Sequence, residues 1–350
     1  VAADPEATED ERIEQIDIGG VALLRAAAKA HRHVTVICDP GDYDLVLDEI
    51  EAHGDTRAAT RRRLAARAFR RTAAYDAAIE ASLTGEEEHL PDQRVLRLDK
   101  LADLRYGENP HQQAALYALP GAAGPLGGEL LQGKPLSYNN LLDFDAAWRA
   151  VAGFERPTAV VVKHVGPCGI ASADRAADAV GPAIASDPVS AFGSVVALNR
   201  TVDGDVVEAL GELFVEAVAA PSFTAEAQRA LRERAGCRLL RVGALSDEPT
   251  ELRSIRGGVL VQEVERQDEA EWRVVTQRGP SEEEMAALRF AWRAVAPVKS
   301  NAILLARGEA TVGIGGGLPS RVDAVRLAAA KAGERAAGSV LASDAFFPFP

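Results

Sequence analysis

Lys163 and His164 form an adjacent pair at the point where the apolar run Thr158–Val162 gives way to a Gly-Pro loop. An ammonium group can hold an anion or an oxyanion, and a histidine can transfer a proton near neutral pH. Such groups often stand at strand ends in α/β enzymes, because the strand fixes them and the loop exposes them. The pair therefore indicates acid–base chemistry. A surface lysine beside a packed histidine is the alternative interpretation.

A second polar segment, LRYGENPHQ at 104–112, contains Arg105 and Tyr106 and has no helical period. An arginine suits bidentate contacts to a phosphate, and a glycine lets the backbone approach a ligand closely. The segment is a candidate binding loop, although ordinary polar loops have a similar composition.

A glycine-rich segment, TVGIGGGLPSR at 311–321, joins a predicted strand to a predicted helix. Turns of this kind can expose backbone N–H groups to anions. The spacing matches neither the dinucleotide-binding fingerprint nor the P-loop. Just upstream, Asn301 offers an amide that could orient a reacting carbonyl, or that could cap a helix or turn.

The composition excludes several classes of protein. The net charge of −13 argues against a nucleic-acid partner, and no apolar run approaches the ~18 residues of a membrane span. Cys38, Cys168 and Cys237 are far apart, and the zinc-deaminase signature is absent. We therefore expect neither zinc nor a disulfide scaffold, and a reducing cytoplasm is the expected location.

The pattern of apolar residues predicts an α/β protein with a largely parallel sheet and helices on both faces. His33–Asp39 is predicted as a buried strand, 56–83 as a long amphipathic helix and 86–91 as a linker. Helices are also predicted near 281–293 and 320–334. The later predicted strands are Thr158–Val162, Ser194–Leu198, Cys237–Val242, Gly258–Val264, Ala302–Leu305 and Thr311–Ile314.

A weak internal echo suggests a duplicated α/β unit. Val162-Lys163-His164 is followed by Ser186-Asp187 and Ala191-Phe192, and Val298-Lys299-Ser300 is followed by Ser343–Phe346. In the first copy the chain runs on into the strand Ser194–Leu198. The second copy is expected to lack its closing elements, because the chain ends within four residues of the echo.

Eight segments then occur in an order that makes coincidence untenable: RYGENPHQ, KPLSYNNLLDFDAAW, VVKHVGPCGIA, SDPVSAFGSVVALNR, RSIRGGVL, PVKSNAI, VGIGGGLPSR and SDAFFPF. Together they resemble the formyltransferase domain of the bifunctional family AICAR transformylase/IMP cyclohydrolase, AICAR being 5-aminoimidazole-4-carboxamide ribonucleotide. Residues 16–43 resemble the last part of the family's cyclohydrolase domain. The resemblance implies an incomplete cyclohydrolase domain at 1–88 and a C-terminally incomplete transformylase domain at 89–350.

The resemblance also implies a fold, a reaction and partners. The fold would be two cytidine-deaminase-like units without zinc, preceded by a methylglyoxal-synthase-like remnant. The reaction would transfer a formyl group from 10-formyltetrahydrofolate to AICAR in de novo purine biosynthesis. A homodimer with its sites at the interface would carry it out, and the resemblance allows a structural potassium ion near Ser300 and Asp344.

Site residues are carried over motif by motif. The catalytic positions would be Lys163, His164 and Asn301. The positions that bind substrate would be Arg105, Tyr106, Gly193, Glu216, Arg321 and Phe346, and the cyclohydrolase remnant would keep Asp17 and Lys29. The phosphate-loop and tyrosine segments that precede this remnant in the family are absent, so we expect no cyclohydrolase activity from this chain.

Two other functions remain open on the sequence alone. One is a fragment that only binds nucleotide or dimerises. The other is a deaminase-like hydrolase, which would need zinc ligands.

Overall fold

A computed structural model describes residues 7–84, 90–122, 124–234, 236–243, 250–264 and 271–347, which fall into two compact units. The first unit takes the chain up to Arg97 together with 249–264, and the second takes 98–248 and 265–350. The expected domain boundary at 88/89, and most of the expected linker 86–91, lie outside the described residues.

Eleven α-helices and thirteen strands are present in the described ranges. The helices are α1 Glu9–Glu14, α2 Gly19–Lys29, α3 Tyr43–His53, α4 Ala58–Thr84, α5 Tyr138–Ala152, α6 Ala176–Ser186, α7 Pro188–Ala191, α8 Gly204–Ala209, α9 Ala225–Arg232, α10 Glu282–Val295 and α11 Arg321–Ala332. The strands are β1 Asp99–Leu104, β2 Ala114–Ala118, β3 Glu129–Gln132, β4 Thr158–Lys163, β5 Gly166–Ser172, β6 Ser194–Leu198, β7 Val215–Ala220, β8 Arg238–Arg241, β9 Thr250–Ile255, β10 Gly258–Glu263, β11 Ile303–Arg307, β12 Ala310–Gly315 and β13 Val340–Ser343. No described helix is long and apolar enough to cross a membrane.

The first unit is built around the long helix that the sequence predicts. Ala65 and Ala68 of α4 pack against Ala28 of α2 and against Val36. The predicted strand His33–Asp39 is wrong, because residues 34–38 pair with no strand in the described part of the chain. A strand needs a neighbour to satisfy its backbone. Here Val36 is instead buried against helices.

The second unit is dominated by a nine-stranded sheet in the order β13-β11-β12-β5-β4-β6-β7-β8-β3. The expectation of a largely parallel sheet is wrong, since among the described strands only the β6–β7 and β7–β8 pairings are parallel. The β4–β5 and β11–β12 connections have two residues each. A parallel pair needs a crossover of a dozen residues or more, so these connections allow only antiparallel pairing.

Helices cover both faces of this sheet, as the sequence predicts. Alternate strand residues point to opposite sides, so that Val160 and Val162 belong to one apolar cluster and Ala159 and Val161 to another. Helices α5 and α10 pack on the first face. Helices α6, α8, α9 and α11 pack on the second.

The strand order corrects part of the internal echo. The triplets β5-β4-β6 and β12-β11-β13 have the same antiparallel order. Ser186-Asp187 comes before β6, whereas Ser343-Asp344 closes and follows β13. The later halves of the echo therefore do not correspond. The second triplet does have a third strand, β13, contrary to the expectation that this element would be missing.

Polar side chains hold the end of the sheet where β4 begins. We call it the saturated end, because its polar groups have hydrogen-bond or ion-pair partners. Arg156 forms ion pairs with Asp174 and with Glu309, which follow β5 and precede β12. Asn199 accepts the Thr158 N–H at 2.9 Å and donates to the carbonyls of Phe154 and Arg156 at 2.7 and 2.8 Å. Backbone groups that the sheet leaves unpaired at this end thus gain partners.

Candidate active site

The opposite end of the nine-stranded sheet, the active end, collects most of the residues that the resemblance implies. Strand β4 ends there, and the antiparallel strand β6 begins there, because Val162 pairs with Val195. Strands β11 and β13 meet at the same end, since Ile303 pairs with Ser343. The implied residues at this end are Lys163, His164, Gly193, Glu216, Asn301, Arg321 and Phe346.

Lys163 is the last residue of β4, and its ammonium group is fixed. The Nζ atom donates a hydrogen bond to the carbonyl oxygen of Gly193. Gly193 has a φ of +68°, and its own N–H donates to Phe214 O at 2.7 Å. The Phe192 and Phe214 rings lie 5.4 Å apart beside it. The backbone between β4 and β6 therefore holds a half-buried cation next to two exposed aromatic rings.

His164 occupies a strained turn. It forms the two-residue β4–β5 connection with Val165, and both residues have positive φ, +53° and +68°. Hairpin turns with two positive φ values favour Asn-Gly, because a Cβ crowds the backbone in this region. The turn exposes His164 to solvent, where its ring can reach a ligand.

Asp143 on α5 contacts this turn. Its Oδ1 atom accepts the Val165 N–H at 2.6 Å. Burial raises the pKa of the Asp143 carboxyl, although the Val165 hydrogen bond and the nearby His164 and Lys163 act in the opposite direction. The carboxyl is thus a partly desolvated group beside the proposed proton-transfer pair.

Glu216 at the start of β7 is engaged with protein partners. Its Oε1 atom accepts a hydrogen bond from Asn140 Nδ2 at 3.1 Å and forms an ion pair with Arg238 at 3.2 Å. Asn140 also closes the N-terminal capping box of α5 with Ser137. Glu216 therefore links β7, β8 and α5.

Asn301, Arg321 and Asp344 form a second cluster at the active end. Arg321 donates to Asn301 Oδ1 at 2.7 Å and to Ser343 Oγ at 2.8 Å, and it pairs with Asp344. The Asn301 amide donates to the carbonyls of Leu318 and Pro319 at 2.9 and 3.1 Å. The Asn301 amide nitrogen is therefore hydrogen-bonded to backbone, its Oδ1 atom contacts Arg321, and its catalytic role stays a prediction.

Asp344 is a strong acid in this cluster. Burial alone would raise its pKa, but hydrogen bonds from Arg321, Ser300 and the Ala302 N–H lower it to about 2. The potassium ion that the resemblance allows near Ser300 and Asp344 stays a prediction, and the Asp344 carboxylate is paired with Arg321 in this structure. Among the described residues, no three His, Cys, Asp or Glu side chains are grouped closely enough to hold a metal ion.

The glycine-rich segment allows close packing of a helix, and the anion-binding role considered above stays a prediction. A Cβ at Gly313 or Gly315 would collide with a carbonyl oxygen of α11, and one at Gly316 would collide with Val298. The Gly317 N–H donates to Lys299 O at 2.6 Å. These glycines let α11 approach β12 and so place Arg321 at the active end.

Arg105, Tyr106 and Phe346 lie outside these two clusters. Arg105 and Tyr106 follow β1 of a separate two-stranded sheet, and the Arg105 guanidinium stacks 5.4 Å from the centre of the Tyr106 ring. The Gly107 N–H donates to Gln112 O at 2.9 Å and closes the loop that follows. Phe346 is 81% exposed. An aromatic side chain so exposed is available to a ligand or a partner chain.

Comparison with known proteins assigns the family. Residues 27–331 match the family model described as AICARFT/IMPCHase bienzyme. The chain is 49% identical over 355 residues to the bifunctional purine biosynthesis protein PurH of Halalkalibacterium halodurans, covering 99% of this chain and 69% of that protein. It is 50% identical over 366 residues to the PurH of Sorangium cellulosum, with 99% and 70% covered. The chain belongs to the AICARFT/IMPCHase bienzyme family.

The two cyclohydrolase positions expected from the resemblance, Asp17 and Lys29, lie near opposite ends of α2. Asp17 lines a cavity of about 570 Å³ in the first unit, where its N–H donates to Tyr75 Oη at 2.7 Å and its carboxylate accepts the Gly20 N–H at 3.0 Å. Lys29 is exposed at the last position of α2, about 15 Å along the helix axis from the first residue, Gly19. It does not line this cavity.

Two residues with direct contacts at the active end were missed as individual predictions. Asp143 and Asn140 both lie within the family segment KPLSYNNLLDFDAAW, three residues apart on α5. Their spacing places them on one helix face, which is the signal that could have singled them out. Cys168, considered and set aside in the sequence, is buried, and burial raises the pKa of its thiol to about 12.

Proposed function

We propose that this chain transfers a formyl group from 10-formyltetrahydrofolate to the 5-amino group of AICAR, a step of purine biosynthesis, using Lys163 and His164. The observation that carries the proposal is the fixed Lys163 ammonium beside an exposed His164 at one strand end. Membership of the bienzyme family supports the reaction class.

The AICAR amine is a weak nucleophile, because its lone pair is delocalised into the imidazole and its carboxamide. The amine nitrogen attacks the formyl carbon, and the His164 imidazole takes the proton from that nitrogen, directly or through the carboxamide. The tetrahedral intermediate then expels N10 of the folate, and N10 takes up the proton that His164 received as the C–N10 bond breaks. Lys163 stabilises the developing oxyanion. Asn301 supports this electrostatic field by orienting Arg321.

The two clusters at the active end are complementary half-sites in this proposal. Strand β4, which ends at Lys163, is three strand positions away from β11, which follows Asn301. At about 4.8 Å per strand, the two clusters lie roughly 14 Å apart within one chain. A second copy of the chain would bring its own Asn301–Arg321 cluster to the first copy's Lys163–His164 pair. The proposal therefore includes a homodimer with shared sites.

We also propose that the second unit contains two cytidine-deaminase-like units. The repeated order β5-β4-β6 and β12-β11-β13 supports this duplication. A helical segment also precedes the last strand of each triplet along the chain, between β5 and β6 in the first and between β12 and β13 in the second. The first copy continues through α8, β7, α9 and β8.

Substitution of His164 tests the function. His164→Ala should lower kcat of formyl transfer by about 10²–10⁴-fold, as expected for loss of a general acid or base. The affinity for AICAR should change far less, because Arg105, Tyr106 and Arg321 are proposed to position it. Lys163→Ala should reduce both turnover and affinity, since a point charge acts in ground and transition states.

The control is His53→Ala, which removes an exposed histidine of α3 in the first unit. Calorimetry with AICAR and thermal melts separate lost binding and lost fold from lost chemistry. If His164→Ala and Lys163→Ala each keep more than about a tenth of the turnover, less than the smallest expected effect, this pair does not carry the reaction. Binding of AICAR without formyl transfer by the unsubstituted protein would point to a nucleotide-binding role alone.

A further inference from the structure

The turn that presents His164 is strained at two consecutive residues. His164 and Val165 have φ values of +53° and +68°, and Val165 is β-branched. Non-glycine residues in this region are strained and persist only where surrounding contacts hold them. Something outside the hairpin must therefore hold the turn.

The contact from outside the hairpin comes from Asp143. Its carboxylate accepts the Val165 N–H at 2.6 Å, a short charge-assisted hydrogen bond. Helix α5, which carries Asp143, is itself well fixed, because a Ser137–Asn140 capping box closes its start and Phe144 is completely buried. Asp143 thus acts on the turn from a rigid support.

We infer that Asp143 is a positioning residue for His164: by holding the Val165 N–H, it keeps the β4–β5 turn in the left-handed conformation that aims the imidazole at the substrate. The inference rests on the proposed role of His164 in proton transfer. Asp143 itself need not touch the substrate.

The charges around Asp143 fit this role. Lys163 and His164 face it from the end of β4, and Glu216 faces it from β7. The Glu216 charge is paired with Arg238. The carboxylate therefore has two cationic or protonatable neighbours on the element that it holds.

Substitutions at Asp143 test whether turnover depends on the oxygen atom that accepts the Val165 N–H. Asp143→Ala removes the acceptor and should lower kcat about 10–100-fold with little change in KM, since a small misplacement of a catalytic group has effects of this size. Asp143→Asn keeps an acceptor oxygen and should retain most of the turnover. Asp145→Ala is the matched control, because Asp145 lies on the same helix and pairs only with Arg149 among the described contacts. Equal losses in Asp143→Asn and Asp143→Ala would contradict the inference.

A second-site substitution tests the strain directly. Glycine adopts a positive φ without a steric cost. Val165→Gly should therefore restore turnover in the Asp143→Ala background, whereas Val165→Ala, which also removes the valine side chain, should not. Failure of glycine to restore activity in a folded double variant would overturn the inference. This comparison remains decisive even if Asp143→Ala is unstable, because the glycine variant relieves the same strain.

A double-mutant comparison and a spectroscopic readout separate this inference from the proposed function. In a His164→Ala background, Asp143→Ala should cause no further loss of kcat, because the group that it positions is gone. The ring C2–H signal of His164, one of six histidines, can be assigned by its loss in His164→Ala. That signal should move in Asp143→Ala and stay in Asp143→Asn. Normal turnover in His164→Ala would refute the proposed function, whereas an unmoved His164 signal in Asp143→Ala would refute the positioning role alone.

Discussion

A side chain at Gly193 would disturb the contact between the Gly193 carbonyl oxygen and the Lys163 ammonium group. A Cβ on Gly193 would lie 3.1 Å from Lys163 Nζ and 3.6 Å from the Phe214 ring, in addition to the positive φ at this position. The absence of a side chain at Gly193 thus lets the ammonium group reach the backbone carbonyl.

Gly193→Ala should accordingly lower formyl transfer by about tenfold or more, through displacement of Lys163. Gly211→Ala is the matched control, because Gly211 also has a positive φ, +54°, but has open space around it. Both variants should lose a similar amount of stability, about 1–2 kcal/mol for the left-handed backbone. Only Gly193→Ala should lose turnover, as steady-state kinetics and thermal melts on both proteins will show. Equal turnover in the two variants would count against a role for the Lys163–Gly193 contact.

At the scale of elements, glycines decide how closely helices approach the sheet. A Cβ at Gly169 of β5 would collide with the Ala183 carbonyl oxygen of α6, in the same way that Gly313 and Gly315 of β12 face α11. Two helices on the same face of the sheet therefore contact strand backbones at glycine.

Gly169→Ala should destabilise the protein by about 1–3 kcal/mol, the usual cost of overpacking. Gly181→Ala provides the contrast, because Gly181 is exposed within α6 and its added Cβ meets nothing within 4 Å. That variant should change the stability by less than about 0.5 kcal/mol, because alanine has the better helix propensity while the following Pro182 disfavours a helical conformation at a residue with a Cβ. Denaturant unfolding of both variants measures the difference, and a neutral Gly169→Ala would mean that α6 can move away without cost.

The sequence predicts individual elements better than their pairing. The apolar runs that became β4, β6, β8, β10, β11 and β12 were predicted, because a short run of apolar residues bounded by turn residues is a local signal. The direction of pairing was wrong, since it depends on connections such as the two-residue His164–Val165 turn, which has no Asn-Gly signature. The run 33–39 reads as a strand, yet tertiary packing buries Val36 against helices instead.

The candidate site shows the same limit. Motif resemblance named Lys163, His164 and Arg321, but it does not reveal that Asn301 spends both amide donors on backbone carbonyls. Contacts such as Asp143 to Val165 join residues 22 positions apart. Only the fold brings such residues together.

For the whole molecule, the separation of the two clusters makes a prediction about assembly. If a site takes Lys163–His164 from one copy and Asn301–Arg321 from another, His164→Ala and Arg321→Ala chains should complement each other when co-expressed. A mixed dimer then has one intact site, so random pairing should restore about a quarter of the wild-type activity. Sedimentation of the unsubstituted protein should give a dimer, because a site shared between two chains needs a stable interface. Interfaces of obligate pairs typically bury about 2,000 Å² or more. No recovery in a verified mixed dimer would show that each chain has its own complete site.

The two ends of the nine-stranded sheet differ in what a mutation there would change. At the saturated end, Arg156 pairs with Glu309, and Asn199 donates to a backbone carbonyl. At the active end, Lys163 and His164 stay available to a ligand. Mutations that alter heat tolerance can therefore accumulate at the saturated end while turnover is preserved, because the strands separate the two ends by their full length. Substitutions confined to the saturated end could therefore adapt the stability of such a sheet to a hotter or saltier habitat, in evolution or in protein engineering, without changing the residues at the active end.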